Sequence, residues 1–130
     1  MTDILIKTDS HYKVNRKRIR NTIDNFLSEK RVKVKSEVSI SIVGDRQMKM
    51  LNRKYRNIDE TTDVLSFPLI EEAKMSKFVE APDDVLRLGD IVISYPQMIE
   101  DATAEEKLVD DKIDELIIHS LNHLFGLHHE

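Results

Sequence analysis

The 130-residue chain contains no cysteine. That absence excludes a disulfide framework, a thiolate zinc site and thiol catalysis, and it fits a reducing compartment. No apolar run approaches the roughly 20 residues of a membrane span. The opening MTDILIKTDSHYK lacks the long apolar core of a secretory signal. There is no internal repeat, no Pro/Gly/Ser-rich linker and no low-complexity tract. These absences predict one soluble cytoplasmic domain over residues 1–130, with no membrane partner and with enough chain to bury a core unaided.

Histidine is also scarce, and four of the five histidines lie in the last twelve residues, HSLNHLFGLHHE. Charge is divided as unevenly. Residues 1–57 carry 15 Lys+Arg against 6 Asp+Glu, and residues 58–130 carry 5 against 18, so balances of +9 and −13 hide behind a net −4. Such runs are usually solvated helix faces, but a basic half also suits a polyanionic partner.

Residues 3–8 read as a strand, and residues 15–28 as an amphipathic helix with Ile19, Ile23, Phe26 and Leu27 inward. EVSISIV, 37–43, alternates as a half-buried strand. Gly44 and Asp45 then stop the strand and cap a helix that runs to about Arg56, with Met48, Leu51 and Tyr55 inward. TDVLSF, 62–67, is a strand closed by Pro68; 70–87 reads as a loop, and GDIVIS, 89–94, as a further strand. Ser94 and Thr103 each open a capping pattern, with Gln97 and Glu106. The final helix keeps Val109, Ile113, Leu116, Ile117, Leu121 and Leu124 on one face. The order β-α-β-α-β-β-α-α predicts an α+β domain with a mixed four-stranded sheet and helices packed on it.

His119 and His123, four apart, share one helix face. Gly126 is where the helix is expected to end, so that the following turn brings His129 to the same point in the pattern H-x-x-x-H-x-x-G-x-x-H. Three imidazoles suit one Zn²⁺ per chain, with other divalent transition metals allowed, and they leave a coordination position open for water activation. His128 is the spare, expected in solvent. The spacing is that of metzincin proteases, but their general-base glutamate is Ser120 here, and a serine hydroxyl cannot take that proton at neutral pH.

Three ordered blocks resemble the YbeY family of bacterial endoribonucleases and rRNA maturation factors. LNRKYRNIDETTDVLSFP, 51–68, is similar to LN-x-x-YR followed by PT-D-VLSFP. LGDIVIS, 88–94, is the second block. HSLNHLFGLHH, 119–129, resembles HG-x-LHL-x-GYDH. The resemblance covers most of the chain and implies a zinc-dependent hydrolase acting on single-stranded RNA. It implies a role in maturing the 3′ end of the small-subunit RNA and in ribosome quality control. The implied partners are ribosomal RNA, the small ribosomal subunit and ribosome-associated proteins. It further implies that His119, His123 and His129 are the metal ligands and that Arg56 is required for activity.

A guanidinium suits the charge that develops on phosphoryl oxygens. On its own, Arg56 reads as a surface arginine ending a basic helix. Ser66 is a candidate phosphate contact. Arg16, Lys17, Arg18 and Arg20, with Lys30, Arg31, Lys33 and Lys35, are candidate RNA contacts. Asp63 and Asp90 match family positions and also suit caps or turns. Departures from the family pattern are Ser120 for glycine, His128 for aspartate, and an end one residue past His129, where fraying would weaken that ligand and let the Glu130 carboxylates approach the metal. A protease of the metzincin kind and a non-catalytic ribosome-assembly factor with a structural metal are the alternative readings.

Overall fold

Strict alternation sets the central strand of the sheet. In Ser36–Val43 the apolar Val38, Ile40 and Ile42 are buried, while Ser39 and Ser41 between them are half-buried on the other face. The computed structural model describes residues 2–9, 11–68 and 85–128. Its elements are β1 (Thr2–Thr8), α1 (Arg16–Glu29), β2 (Ser36–Val43), α2 (Asp45–Arg56), β3 (Val64–Pro68), β4 (Leu86–Ser94), α3 (Tyr95–Ala104) and α4 (Val109–His128). The order is the expected one, and the domain is α+β.

The sheet order is β1-β2-β4-β3, with β1, β2 and β4 parallel and β3 antiparallel to β4. α1 and α4 cover one face, burying Ile19, Ile23, Phe26 and Leu27 from the first and Ile113, Leu116, Ile117, Leu121 and Leu124 from the second against Ile40, Ile91 and Ile93. On the other face α2 buries Met48 against Val43, Leu65 and Val92.

Several expectations need correction. Tyr55 does not turn inward: it is 56% exposed, its ring meeting Phe67 edge-on at 5.1 Å, because α2 reaches past the apolar part of the sheet, and Asn52 is buried in its last turns instead. Asp45 is the first residue of α2 rather than its cap; its carboxylate accepts from Ser94 Oγ at 2.6 Å and Thr61 Oγ1 at 3.0 Å. Ser94 does cap α3, accepting from the Gln97 N–H. Thr103 caps nothing. It lies inside α3 and its hydroxyl donates to Ile99 O at 2.8 Å, a bond open to a mid-helix threonine but not to a residue with extended cap geometry. α4 runs through Gly126 to His128, so the helix end expected at that glycine is absent. Glycine weakens a helix without stopping it. Here Phe125 packs edge-on against Phe26 at 6.0 Å with Lys30 over both rings, which holds the last turns in place. Of the segment 70–87 expected as a loop, 70–84 lies outside the described residues and 86–87 belong to β4.

β4 begins at Leu86, before the glycine that marked its expected start. Glu37 pairs with Arg87 and Val38 with Gly89, so Leu88 is the extra residue of a bulge. Gly89 has φ +137°, and a Cβ there would lie 2.2 Å from Phe67 O on β3. Replacing Gly89 with alanine is expected to lower unfolding free energy by about 1–3 kcal/mol. A denaturant curve indistinguishable from the parent would refute the constraint.

Lys112, 3% exposed, closes the α3–α4 turn by donating to Glu105 and to Glu115 at 3.0 Å, and Lys107 bonds both glutamates as well. Burial opposes the Lys112 charge, but the bonds from Glu115 and Glu105 outweigh it and hold the ammonium above its ordinary value. Hydrogen bonds from Lys112 and Lys107 hold both carboxyls below theirs. A depressed carboxyl stabilises the fold above its unfolded pKa and loses that contribution as pH falls through the folded one. Thermal stability should therefore drop as the pH is lowered below the ordinary glutamate value of 4.5, and drop less steeply in Lys112→Met. Parallel profiles for the two proteins would count against the network.

Candidate active site

The rotation of α4 decides where its histidines go. Ile113, Ile117, Leu121 and Leu124 are at most 2% exposed. Asp114 adds a polar lock, accepting from Arg18 Nε at 2.9 Å and Thr22 Oγ1 at 2.8 Å on α1. With that stripe buried, the 3.6-residue period puts His119 and His123 one turn apart on an exposed flank. Ser120, at the position where a metzincin carries its base, is 1% exposed and faces the interior.

The flank looks onto β3, the outer strand of the sheet. Side chains alternate along it: Val64 packs with the α1/α4 core, Leu65 and Phe67 with the α2 cluster, and Ser66 returns to the α4 side. Ser66 Oγ lies 2.9 Å from His123 Nδ1. A hydroxyl on Nδ1 leaves Nε2 as the nitrogen open to a metal, an arrangement in which a second partner fixes the tautomer of a ligating histidine. The next residue, Phe67, touches Tyr55 across the sheet, so the end of α2 reaches the same level of β3 from the opposite face. Arg56, exposed, follows Tyr55 and is the last residue of the helix. Asn57 closes the helix in the left-handed conformation (φ 59°), its N–H donating to Arg53 O.

The sequence-expected residues are thus brought together in part. Ser66 meets His123, with His119 one turn away on the same flank, and Arg56 follows Tyr55, which meets Phe67 on the opposite face of the strand. His129 and Glu130 lie outside the described residues, and among the described residues no three His, Cys, Asp or Glu side chains converge. His119 and His123 fit two positions of a metal site. Asp63 and Asp90 both make contacts within the fold: the Asp63 backbone carbonyl accepts from Ser94 N–H at 2.9 Å, and the Asp90 carboxylate accepts from Ser39 Oγ on the face away from α4. Burial, and then a hydrogen bond with Asp63, hold the Asp101 carboxyl above its ordinary value.

The basic helix α1 is largely committed to the fold. Arg16 Nη1 donates to Ile6 O at 3.0 Å and Arg20 Nη1 to Ile4 O at 2.9 Å, covering carbonyls of the outer strand β1. Arg18 pairs with Asp111 and Asp114. Lys17 is exposed. The Ser66–His123 contact was not specified by the motif, although the two-residue alternation of VLSF does place Ser66 on the face opposite Phe67.

A profile of the family described as "Endoribonuclease YbeY" matches residues 4–130. Curated relatives of that name include one from Dehalococcoides mccartyi strain CBDB1, 35% identical over 98% of this chain and 81% of its own length. One from Caldicellulosiruptor bescii is 37% identical over 95% of this chain and 78% of its own. One from Dehalococcoides mccartyi strain 195 is 45% identical over 73% of this chain, and the match spans only 59% of that relative. The fold is similar to the solution structure of TM1509 from Thermotoga maritima, with TM-score 0.57 at 24% identity, over 95% of this chain and 71% of that one.

If Ser66 orients His123, Ser66→Ala should weaken zinc binding by roughly 10–100-fold, read by competition with a chromogenic chelator. Parent-like affinity would remove Ser66 from that role.

Proposed function

Because this chain belongs to the endoribonuclease YbeY family, we propose that it is a zinc-dependent endoribonuclease cleaving single-stranded RNA. On this reading it acts in ribosomal RNA maturation, at the 3′ end of the small-subunit RNA, and in ribosome quality control. Its partners are ribosomal RNA, the small ribosomal subunit and ribosome-associated proteins in the cytoplasm. No described helix is long and apolar enough to cross a membrane.

One observation carries the reading: adjacent residues of the outer strand β3, Ser66 and Phe67, touch His123 on one face and Tyr55, beside Arg56, on the other. An RNA strand laid along that edge has the histidines on one side and a guanidinium on the other. His119, His123 and His129 would hold the zinc ion. Bound zinc supplies Lewis acidity toward a phosphoryl oxygen. Arg56 would offer paired N–H donors to the non-bridging oxygens and stabilise the charge that grows on them as a water or ribose hydroxyl oxygen bonds to phosphorus and the leaving oxygen departs with its proton. Ser66 keeps the His123 ring in one orientation. The protease alternative is disfavoured because Ser120 is both the wrong group and buried.

Purified protein should contain zinc and cleave single-stranded RNA, with cleavage lost on chelation and restored by added zinc. His123→Ala should abolish cleavage. Arg56→Ala should reduce it by roughly 10²–10³-fold at unchanged melting temperature, the usual effect of deleting one oxyanion donor. Cleavage indifferent to chelator, or equal in Arg56→Ala and parent, would overturn the corresponding assignment.

A further inference from the structure

The helix that delivers Arg56 carries five cations and one acid. Four of the cations, Arg46, Lys49, Arg53 and Arg56, follow one another at spacings of three, four and three. At 100° per residue they fall within about 80° of arc, on a stripe about 15 Å long. All four are exposed, on the side away from buried Met48. None makes an ion pair with a described residue. Asp45, Asp59 and Glu60 line a groove with Arg46 and Lys49 but do not pair with them.

Ordinary helix electrostatics explains only part of the stripe. Arg53 and Arg56 complement the negative C-terminal end of the helix dipole, whereas Arg46 sits in the first turn, where a cation is unfavourable, and Lys49 gains nothing from either end. α1, with four cations, has its arginines bonded to β1 carbonyls and to Asp111 and Asp114. Other exposed cations, among them Lys13, Lys17, Arg31 and Lys33, also make no ion pair with a described residue, but α2 sets four in line on one helix face.

We propose that Arg46, Lys49 and Arg53 form a phosphate track on which a single RNA strand runs along α2 to Arg56 at the β3 edge. This rests on the single-stranded RNA reading of the site and adds its direction of approach. Side-chain cations in line hold a backbone without reading sequence, so the track should serve any single strand.

The test is binding of labelled oligouridylate and oligoadenylate to the full chain in the presence of chelator, across a range of salt concentrations. Each phosphate contact on a single strand contributes about 0.7 to the slope of log affinity against log salt. The triple variant Arg46→Gln, Lys49→Gln, Arg53→Gln should therefore have a slope shallower by about 2, and an affinity at 0.1 M salt lower by on the order of 100-fold, for both sequences. A variant with Arg46→Lys and Arg53→Lys, which keeps the charge, should keep the parent slope, and Lys13→Gln, at an exposed lysine outside the track, should be close to parent. Thermal melts confirm that the exposed substitutions leave the fold intact. Parent-like binding by the triple variant, or an equal loss in Lys13→Gln, would overturn the track while leaving the cleavage reading standing. A parent that binds neither oligonucleotide would overturn both.

Discussion

The burial of one face of α4 is the constraint on which the site depends. Ile113, Ile117, Leu121 and Leu124 are packed without appreciable exposure against the sheet and α1. Rotating the helix by one residue, about 100°, would expose several of them at about 1.5–3 kcal/mol for each side chain. The helix has one usable rotation, and His119 and His123 inherit their direction from it. Arg18 and Thr22 on Asp114 reinforce the same rotation at the rim of the core. The histidines are thus surface residues held by an interior they do not enter.

β3 converts that direction into a two-sided site. Its two-residue period sends Val64 and Ser66 to the α4 face, and Leu65 and Phe67 to the α2 face. An interior strand would have neighbours on both edges and could not lie open to a long polymer. As the outer strand, β3 lets groups from both faces meet at one line. Its attachment to β4 depends in turn on Gly89, where β4 closes on the Phe67 carbonyl more tightly than any side chain permits. Two grooves of about 430 and 330 Å³ lie on the open sheet face around Ser39 and Asp90, and one of about 550 Å³ lies beside Arg46 and Lys49, all away from the histidines. Shape alone does not mark the site; the chemistry of the lining does.

What the sequence made legible was whatever repeats. The stripes of α1 and α4, the alternation of β2 and the element order were readable because period and burial are the same fact. Errors came where a local signal competed with packing. Gly126 signals a helix end, yet Phe125 on Phe26 carries the helix past it. Thr103 and Glu106 have capping spacing, but the threonine is still inside α3. Tyr55 has the inward phase of α2, but there is no core beneath it at that end. The shared flank of the histidine pair was legible from spacing, whereas Arg56 was singled out only by resemblance, since nothing local separates it from other surface arginines. That Arg16 and Arg20 cover β1 carbonyls could not be read from a motif, because it depends on which strand is outermost.

The uneven charge of the chain takes on a different meaning once the fold is known. The +9 and −13 halves are not two separate faces, because α1 from the first packs on α4 from the second and Arg18 is neutralised there. Intramolecular pairing therefore absorbs part of the basic half, and α2, on the opposite side of the sheet, keeps its cations. A protein with net charge −4 repels a polyanion over much of its surface, so cations set in line along one ridge orient the approach as well as strengthening it. On the proposed path the ridge ends at Arg56, so the part of the protein that draws RNA in is continuous with the residue that would stabilise the charge of its cleavage. A basic helix placed instead over the α4 face would bring RNA close to the histidines with the guanidinium on the wrong side of β3.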